Sequence, residues 1–198
     1  MTSEYEIISD PFHPKCIRAF SMYRPGEEPK KAKRFMERVR GKEEDMIHRF
    51  TRDEEYHLIN EQIRKTQGFD VDFSMFRVFF DFYPALLNES SFAEKPETDR
   101  DYFGRLAKEA IQDYNNRQGT SFEFVEVDKA NIHMNSGFTY FITFVVKGHN
   151  DVTQIFQAKV INVFCREEFE HCFCRPKPIQ QVECDKDSRK AVKKRRNN

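Results

Sequence analysis

Thiol and imidazole groups are the side chains of this sequence with the most reactive chemistry. Five cysteines are present, and four of them follow position 164, close to His171: Cys16, Cys165, Cys172, Cys174 and Cys184. Structural zinc sites usually pair cysteines two to four residues apart, whereas a single residue separates Cys172 from Cys174. Neighbouring strand residues point to opposite faces, so His171 is not expected to activate Cys172. We therefore predict no metal site, no cofactor and no thiol catalyst, and expect the cysteines to be small core or edge residues.

Other catalytic signatures are weak. The acidic pairs Glu54-Glu55 and Glu167-Glu168 are more typical of a solvated surface than of acid–base catalysis. The seven glycines are scattered and form no phosphate-binding loop. The sequence therefore predicts a protein that is not an enzyme and has no catalytic residues.

The C-terminal end is strongly basic. Residues 185–198 contain seven Lys or Arg and two Asp, although the whole chain has 33 basic and 33 acidic residues. The run Lys193, Lys194, Arg195 and Arg196 fits either a nuclear localisation signal or a solvated terminus. No aromatic residue interleaves these charges, so stacking on bases is not expected and nucleic acid is not the predicted partner.

Composition and hydropathy predict a compartment. The first residues show no basic segment followed by an apolar run, so no secretory signal is expected. No apolar stretch approaches the roughly 18 residues that span a bilayer. We therefore expect a cytoplasmic or nuclear protein that does not bind membranes and whose cysteines are reduced.

The N-terminal third is expected to be a partly helical extension. Residues 1–41 are rich in Pro, Lys, Arg and Glu, with a short helix predicted near 32–39. Residues 42–67 lack Gly and Pro and space apolar residues three or four apart, which predicts one long helix. Residues 69–83 are dense in Phe and alternate with polar residues, which predicts an extended segment.

The clearest periodic pattern follows this extension. Residues 98–117 carry an apolar stripe with a period of 3.6, which predicts a helix. After Gly119 the period becomes 2, and four strands are expected between residues 121 and 175. In the first of these strands the alternation slips between Phe124 and Val125, as at a β-bulge.

These elements predict an α+β fold. One main helix would pack on an antiparallel sheet of four to five strands, with an N-terminal helical extension. We divide the chain into an extension (1–68), the sheet domain (69–178) and a basic tail (179–198). The sheet face away from the helix, with Phe141 and Val145 among its candidates, would carry either a partner or the extension.

Four consecutive segments carry a resemblance to a known family. LAKEAIQDYN, Leu106 to Asn115, resembles the helix signature of plant cystatins, LARFAVDEHN, with Glu109 in place of an aromatic residue. FEFVEVDKAN, FTYFITF and FQAKVINV resemble the strands that follow that helix in cystatins. Upstream, the helix that runs into TQGFDVD resembles a plant-specific group of cystatin-related proteins. The resemblance implies a cystatin-like fold.

It also implies positions for the inhibitory elements. Cystatins block papain-like cysteine proteases with a QxVxG hairpin, whose place here is His133, Met134, Asn135, Ser136 and Gly137, and only Gly137 matches. The second hairpin, which usually presents Pro-Trp, corresponds to Phe164, Cys165 and Arg166. The third element is a flexible trunk with a glycine before the first strand, and Gly68 is the nearest candidate.

These departures predict a weak or lapsed inhibitor of papain-like cysteine proteases. The alternative is an intracellular protein-interaction module that uses the cystatin fold as a scaffold without inhibition. The expected partner is a papain-like cysteine protease in the first case and an unidentified protein in the second.

Overall fold

The computed structural model describes residues 17–24, 26–47, 50–164 and 168–178. These residues form three α-helices: α1 (Lys30–Arg40), α2 (Arg52–Thr66) and α3 (Asp99–Gln118). They also form five β-strands: β1 (Phe82–Pro84), β2 (Glu123–Met134), β3 (Gly137–Lys147), β4 (Thr153–Val163) and β5 (Glu170–Pro176). In the described ranges no helix has the length and apolar character needed to cross a bilayer.

The predicted main helix is present as α3. Thr98 caps its N-terminus in a capping box with Asp101, so two backbone N–H groups at the helix start are satisfied by side chains. Gly119 ends it in the left-handed conformation at φ 65°. The predicted bounds, 98–117, agree with the structure to within one residue.

The five strands form one antiparallel sheet in the order β1-β2-β3-β4-β5. The register between β2 and β3 shifts between Phe124 and Glu126, which confirms the predicted slip, and shifts again between Val127 and Lys129. The predicted α+β fold with a cystatin-like plan and an N-terminal helical extension is confirmed.

One sheet face packs against α3. On β3, Tyr140, Ile142 and Phe144 are buried on this face, and half-buried Phe138 packs against them. The core of this layer is made of apolar side chains from α3 and from β2 to β5: Phe103, Leu106, Ala107, Ala110, Ile111, Val127, Ala130, Ile132, Val146, Phe156, Ala158, Val160 and Cys174. This layer holds the helix on the sheet by burial of apolar surface.

The other sheet face carries the extension. Phe141 is fully buried against Phe69 and Phe82, with ring centroids 5.5 and 5.4 Å away. A second core of buried apolar side chains surrounds it: Ile17, Ala19, Ile59, Ile63, Phe73, Phe76 and Phe80. The cover over Phe141 therefore combines residues of the predicted extension with the segment 69–82, which was assigned to the sheet domain. Val145 is only half-buried.

The long helix predicted over 42–67 was wrong in its first third. Helix α2 begins only at Arg52, because Thr51 forms a capping box with Glu54 that starts the helix there. Residues 43–45 form a single 3₁₀ turn, and Ile47 is 92% exposed. The shorter helix α1 contains the predicted 32–39 segment.

The extended segment predicted over 69–83 was also largely wrong. It contains a 3₁₀ turn at Phe73–Met75, and its regular strand is limited to β1. The fully buried Glu55 carboxylate of α2 accepts hydrogen bonds from the backbone N–H groups of Arg77 and Val78 at 2.9 and 2.8 Å. Because Glu55 satisfies these two N–H groups, they need no carbonyl partner on a neighbouring strand. The segment therefore wraps around α2.

Candidate functional site

The predicted inhibitory loop is a tight hairpin between β2 and β3. Asn135 and Ser136 form its exposed tip, and half-buried Met134 precedes them. The Asn135 N–H donates to the Gly137 carbonyl at 3.0 Å, which closes the turn. The tip therefore presents polar side chains at the end of the sheet.

Gly137 is required by close packing of two strands. It pairs with Val163 of β4, and a Cβ at this position would clash with the Asn162 carbonyl oxygen and lie 2.9 Å from the Val163 Cα. Its match to the family pattern thus has a structural reason within this sheet.

His133 is not available at the tip of the loop. Its side chain lies on the face opposite α3 and is 10% exposed, with its ring 5.8 Å from that of Phe82. Its Nε2 atom lies 3.8 Å from Asp81 Oδ2. Burial lowers the pKa of His133 to about 4, against an opposing hydrogen bond with the Arg18 backbone and with a smaller contribution from the charge of Lys159, so the imidazole is neutral near pH 7.

Asp81 is the partner that the sequence did not reveal. Burial raises the pKa of its carboxyl group to about 6, against an opposing hydrogen bond from the Phe20 N–H at 2.7 Å. The two residues are brought together by the pairing of Phe82 with His133 in the β1–β2 ladder. No sequence signal marks this pair, because Asp81 precedes β1 and His133 lies on β2, far along the chain.

The segment where a free trunk was expected is paired with the extension. The Met22 N–H donates to the Phe79 carbonyl at 2.8 Å, and the Asp81 N–H donates to the Phe20 carbonyl at 2.9 Å. Ser21 and Phe80 form an antiparallel bridge between them. The residues just before β1 are therefore held in a short ladder along residues 20–22.

Gly68 does not occupy the trunk position suggested for it. It lies beneath Phe141, and its carbonyl accepts a hydrogen bond from Asn131 Nδ2 at 2.7 Å. At φ +85° a Cβ would be 2.9 Å from Phe141 Cε1, so this glycine serves the packing of the extension on the sheet.

The second predicted hairpin is described in part. Phe164 is 63% exposed, and its ring lies edge-on to Phe138 at 5.2 Å. Cys165 and Arg166 lie outside the described residues, as do Lys193, Lys194, Arg195 and Arg196 of the basic tail.

Two of the cysteines lie on β5. Cys174 is buried under α3, and burial raises the pKa of its thiol to about 12, which disfavours the reactive thiolate. His171 Nε2 lies 3.1 Å from Glu109 Oε2 of α3. Among the residues that the structure describes, no three His, Cys, Asp or Glu side chains are grouped closely enough to hold a metal ion.

Comparison with known proteins agrees with this geometry. A family model described as the cystatin domain matches residues 93–174, which include α3 and β2 to β4 and most of β5. No curated protein matches the chain. Members of the cystatin family are inhibitors and not enzymes. The match supports the placement of residues 93–174 in the cystatin superfamily.

Proposed function

We propose that this chain is a non-enzymatic, cystatin-like protein-binding protein whose inhibition of papain-like cysteine proteases is weak or lapsed. The observation that carries the proposal is the ladder between residues 20–22 and Phe79–Asp81. A cystatin needs a free chain before its first strand to enter the protease cleft, and here that chain is paired with the extension.

The hairpin tip supports the same proposal. Asn135 stands where the family pattern has Val, and it is exposed at the turn. Burying an amide in an apolar cleft without a compensating hydrogen bond costs about 1–3 kcal/mol. Because about 1.4 kcal/mol corresponds to a tenfold change in affinity, this residue alone would weaken binding about tenfold to a hundredfold.

The alternative proposal is an interaction module without any protease inhibition. It is favoured by the burial of His133, which removes the side chain at the first position of the family pattern from the protein surface. Under this alternative the partner is a different, unidentified protein, and the cystatin fold is a scaffold.

Titration against papain with a fluorogenic substrate tests the first proposal. We expect no inhibition by the wild-type protein at submicromolar concentration. Asn135→Val should strengthen inhibition by a measurable factor if the protein still enters the cleft, whereas Ser136→Ala, a change of the neighbouring tip residue, should not. Submicromolar inhibition by the wild type would contradict a lapsed inhibitor, and no response to Asn135→Val would favour the module.

Finer assignments rest on the sequence. We propose membership of the plant-specific cystatin-related group from the TQGFDVD segment, and a cytoplasmic or nuclear location. Lys193–Arg196 would act as the nuclear signal. Imaging a fluorescent fusion with these four residues changed to alanine tests the location, and unchanged nuclear signal would contradict that role.

A further inference from the structure

A cavity of about 560 Å³ opens beside the edge strand β1. Helix α1, Phe79, residues 83–86 and the loop between β1 and α3 form most of its wall. Its volume falls within the usual range for small-molecule pockets, about 300–1,000 Å³. The inhibitory hairpin tip, Asn135 and Ser136, does not line it.

Aromatic rings dominate the wall. Phe35 contacts Phe79 and Tyr83 with ring centroids 5.4 and 5.7 Å apart, and Phe92 contacts Phe138 edge-on at 5.4 Å. All five side chains are half-buried and line the cavity. Because each ring is supported by a neighbouring ring, the cavity offers flat apolar surfaces that favour a planar apolar ligand.

A buried carboxylate at the wall requires a hydrogen-bond donor. Asp99 lies at the start of α3 and is fully buried. Its Oδ1 atom accepts hydrogen bonds from the N–H groups of Phe92 and Ala93 at 2.7 and 3.2 Å. Its Oδ2 atom has no hydrogen-bond partner in the described part of the chain. In this structure Oδ2 is covered, so a ligand N–H or O–H reaches it only when the side chains of the wall move aside. Because leaving a buried polar atom unsatisfied costs about 1–3 kcal/mol, such a donor would be stabilised there.

Helix α1 places positive charge on the same cavity. Lys31 and Arg34 line it and are exposed. Arg38, also at the wall, forms an ion pair with Glu89 of the loop, which joins α1 to that loop. An anionic group on a ligand would therefore be attracted to the α1 side of the cavity.

We propose that this cavity binds a small molecule with a planar apolar body, an N–H or O–H donor at one end and an acid group at the other. The rings hold the body, Asp99 accepts the donor, and Lys31 and Arg34 contact the acid. This inference is independent of the proposed function, since it uses none of the inhibitory-loop residues.

The probe is 2,6-anilinonaphthalene sulfonate, which carries an amine N–H and a sulfonate on an aromatic body and fluoresces when it enters an apolar site. We expect saturable binding to the full chain. N-phenylnaphthylamine lacks the sulfonate, and 6-phenoxynaphthalene-2-sulfonate keeps the phenyl ring but has an ether oxygen in place of the N–H. Each should bind about tenfold more weakly than the probe, by direct or competition titration. Equal affinity of all three compounds would overturn the assignment of the two polar ends.

Matched variants locate the probe. Lys31→Glu and Arg34→Glu should each weaken binding severalfold, whereas Lys30→Glu, exposed on the same helix but outside the cavity wall, should not. Ser91→Phe places a large side chain at an exposed position of the wall and should abolish saturable binding. Circular dichroism confirms that these surface variants remain folded. Affinity unchanged by Ser91→Phe and by both charge reversals would refute the site.

Asp99→Asn tests the buried acceptor. The amide oxygen can still accept from the Phe92 and Ala93 N–H groups, but an NH₂ group replaces the free oxygen. The affinity advantage of the anilino probe over 6-phenoxynaphthalene-2-sulfonate should then disappear. If the variant is folded and the advantage persists, Asp99 does not accept the donor; if it is unfolded, the Lys31, Arg34 and Ser91 variants decide the proposal.

Discussion

The His133–Asp81 pair predicts opposite pH dependences for two single variants. Folding lowers the pKa of His133 from 6.5 to about 4 and raises that of Asp81 from 3.8 to about 6. Both shifts arise mainly from burial, and the side chains are 10% and 15% exposed. Since one pH unit corresponds to about 1.4 kcal/mol, each shift changes the free energy of unfolding by about 3 kcal/mol across its window.

The two contributions have opposite signs. His133 has a depressed pKa in the folded state, so its stabilisation is lost as pH falls from about 6.5 to about 4. Asp81 has a raised pKa in the folded state, so its stabilisation is present at low pH and is lost as pH rises from about 4 to about 6. Between pH 4 and 6 the unfolded pair holds its proton on the histidine and the folded pair holds it on the aspartate. The net dependence from the pair is therefore close to zero.

Each single variant removes one of the two opposing slopes. Asp81→Asn keeps an oxygen that can accept from the Phe20 N–H, and it should lose about 3 kcal/mol relative to wild type as pH falls from 6 to 4. His133→Gln should lose a similar amount relative to wild type as pH rises from 4 to 6. Urea unfolding at pH 4, 5, 6 and 7 measures both differences, and subtracting wild type cancels the other titratable groups.

The sign of each difference is the decisive result. If wild type minus Asp81→Asn and wild type minus His133→Gln change in the same direction with pH, or if both stay constant, the two groups do not titrate as their burial requires. A wild-type free energy of unfolding that varies strongly between pH 4 and 6 does not decide the matter, because other carboxylates titrate there.

Two further predictions concern a close contact at a glycine and a buried ion pair. Gly137→Ala should destabilise the protein by about 1–3 kcal/mol because the new Cβ meets the β4 backbone. Gly104→Ala in α3, whose Cβ would lie 3.6 Å from the nearest atom, of Phe124, should be neutral or stabilising. The urea midpoints of the two variants measure the difference. Glu55→Ala should cost about 3–5 kcal/mol because it leaves Arg77 without its buried partner, and adding Arg77→Ala should recover part of the loss in a double-mutant cycle. Additive losses in that cycle would show that the pair is not coupled.

The main helix and the long strands were predictable because their patterns are local. The apolar stripe of α3 and the alternation of β3 each repeat within one element, and both elements bury one face against the same core. Thr98 and Gly119 mark the helix ends by side-chain and backbone chemistry that is visible in the sequence. Even the register shift near Phe124 left a trace in the alternation.

One wrong prediction concerns a segment whose partners are distant in the chain, and the other concerns a helix start that a local cap sets. Residues 69–83 alternate like a strand, but the backbone N–H groups of Arg77 and Val78 donate to Glu55 on α2 instead of to a neighbouring strand. The long helix expected over 42–67 starts late because the Thr51 cap has more influence than the weak apolar spacing before it. Propensity is a weak prior, and tertiary contacts or capping can override it.

The β2–β3 hairpin shows what the sequence by itself determines. The sequence by itself determined that Asn135 replaces an apolar residue and that Gly137 is retained, since these are identities at positions in a recognisable strand–turn–strand pattern. It also determined the α3-facing core, because periodicity within an element needs no knowledge of distant contacts.

Only the tertiary structure decided what covers the other face. Asn131, Gln157 and Lys159 are polar and would be expected to face water, yet all three are buried. Asn131 is satisfied there by the carbonyl groups of Gly68 and Phe69, residues more than 60 positions away. A polar side chain is compatible with burial when a backbone group supplies its hydrogen bond, and that partner exists only after the extension has folded onto the sheet.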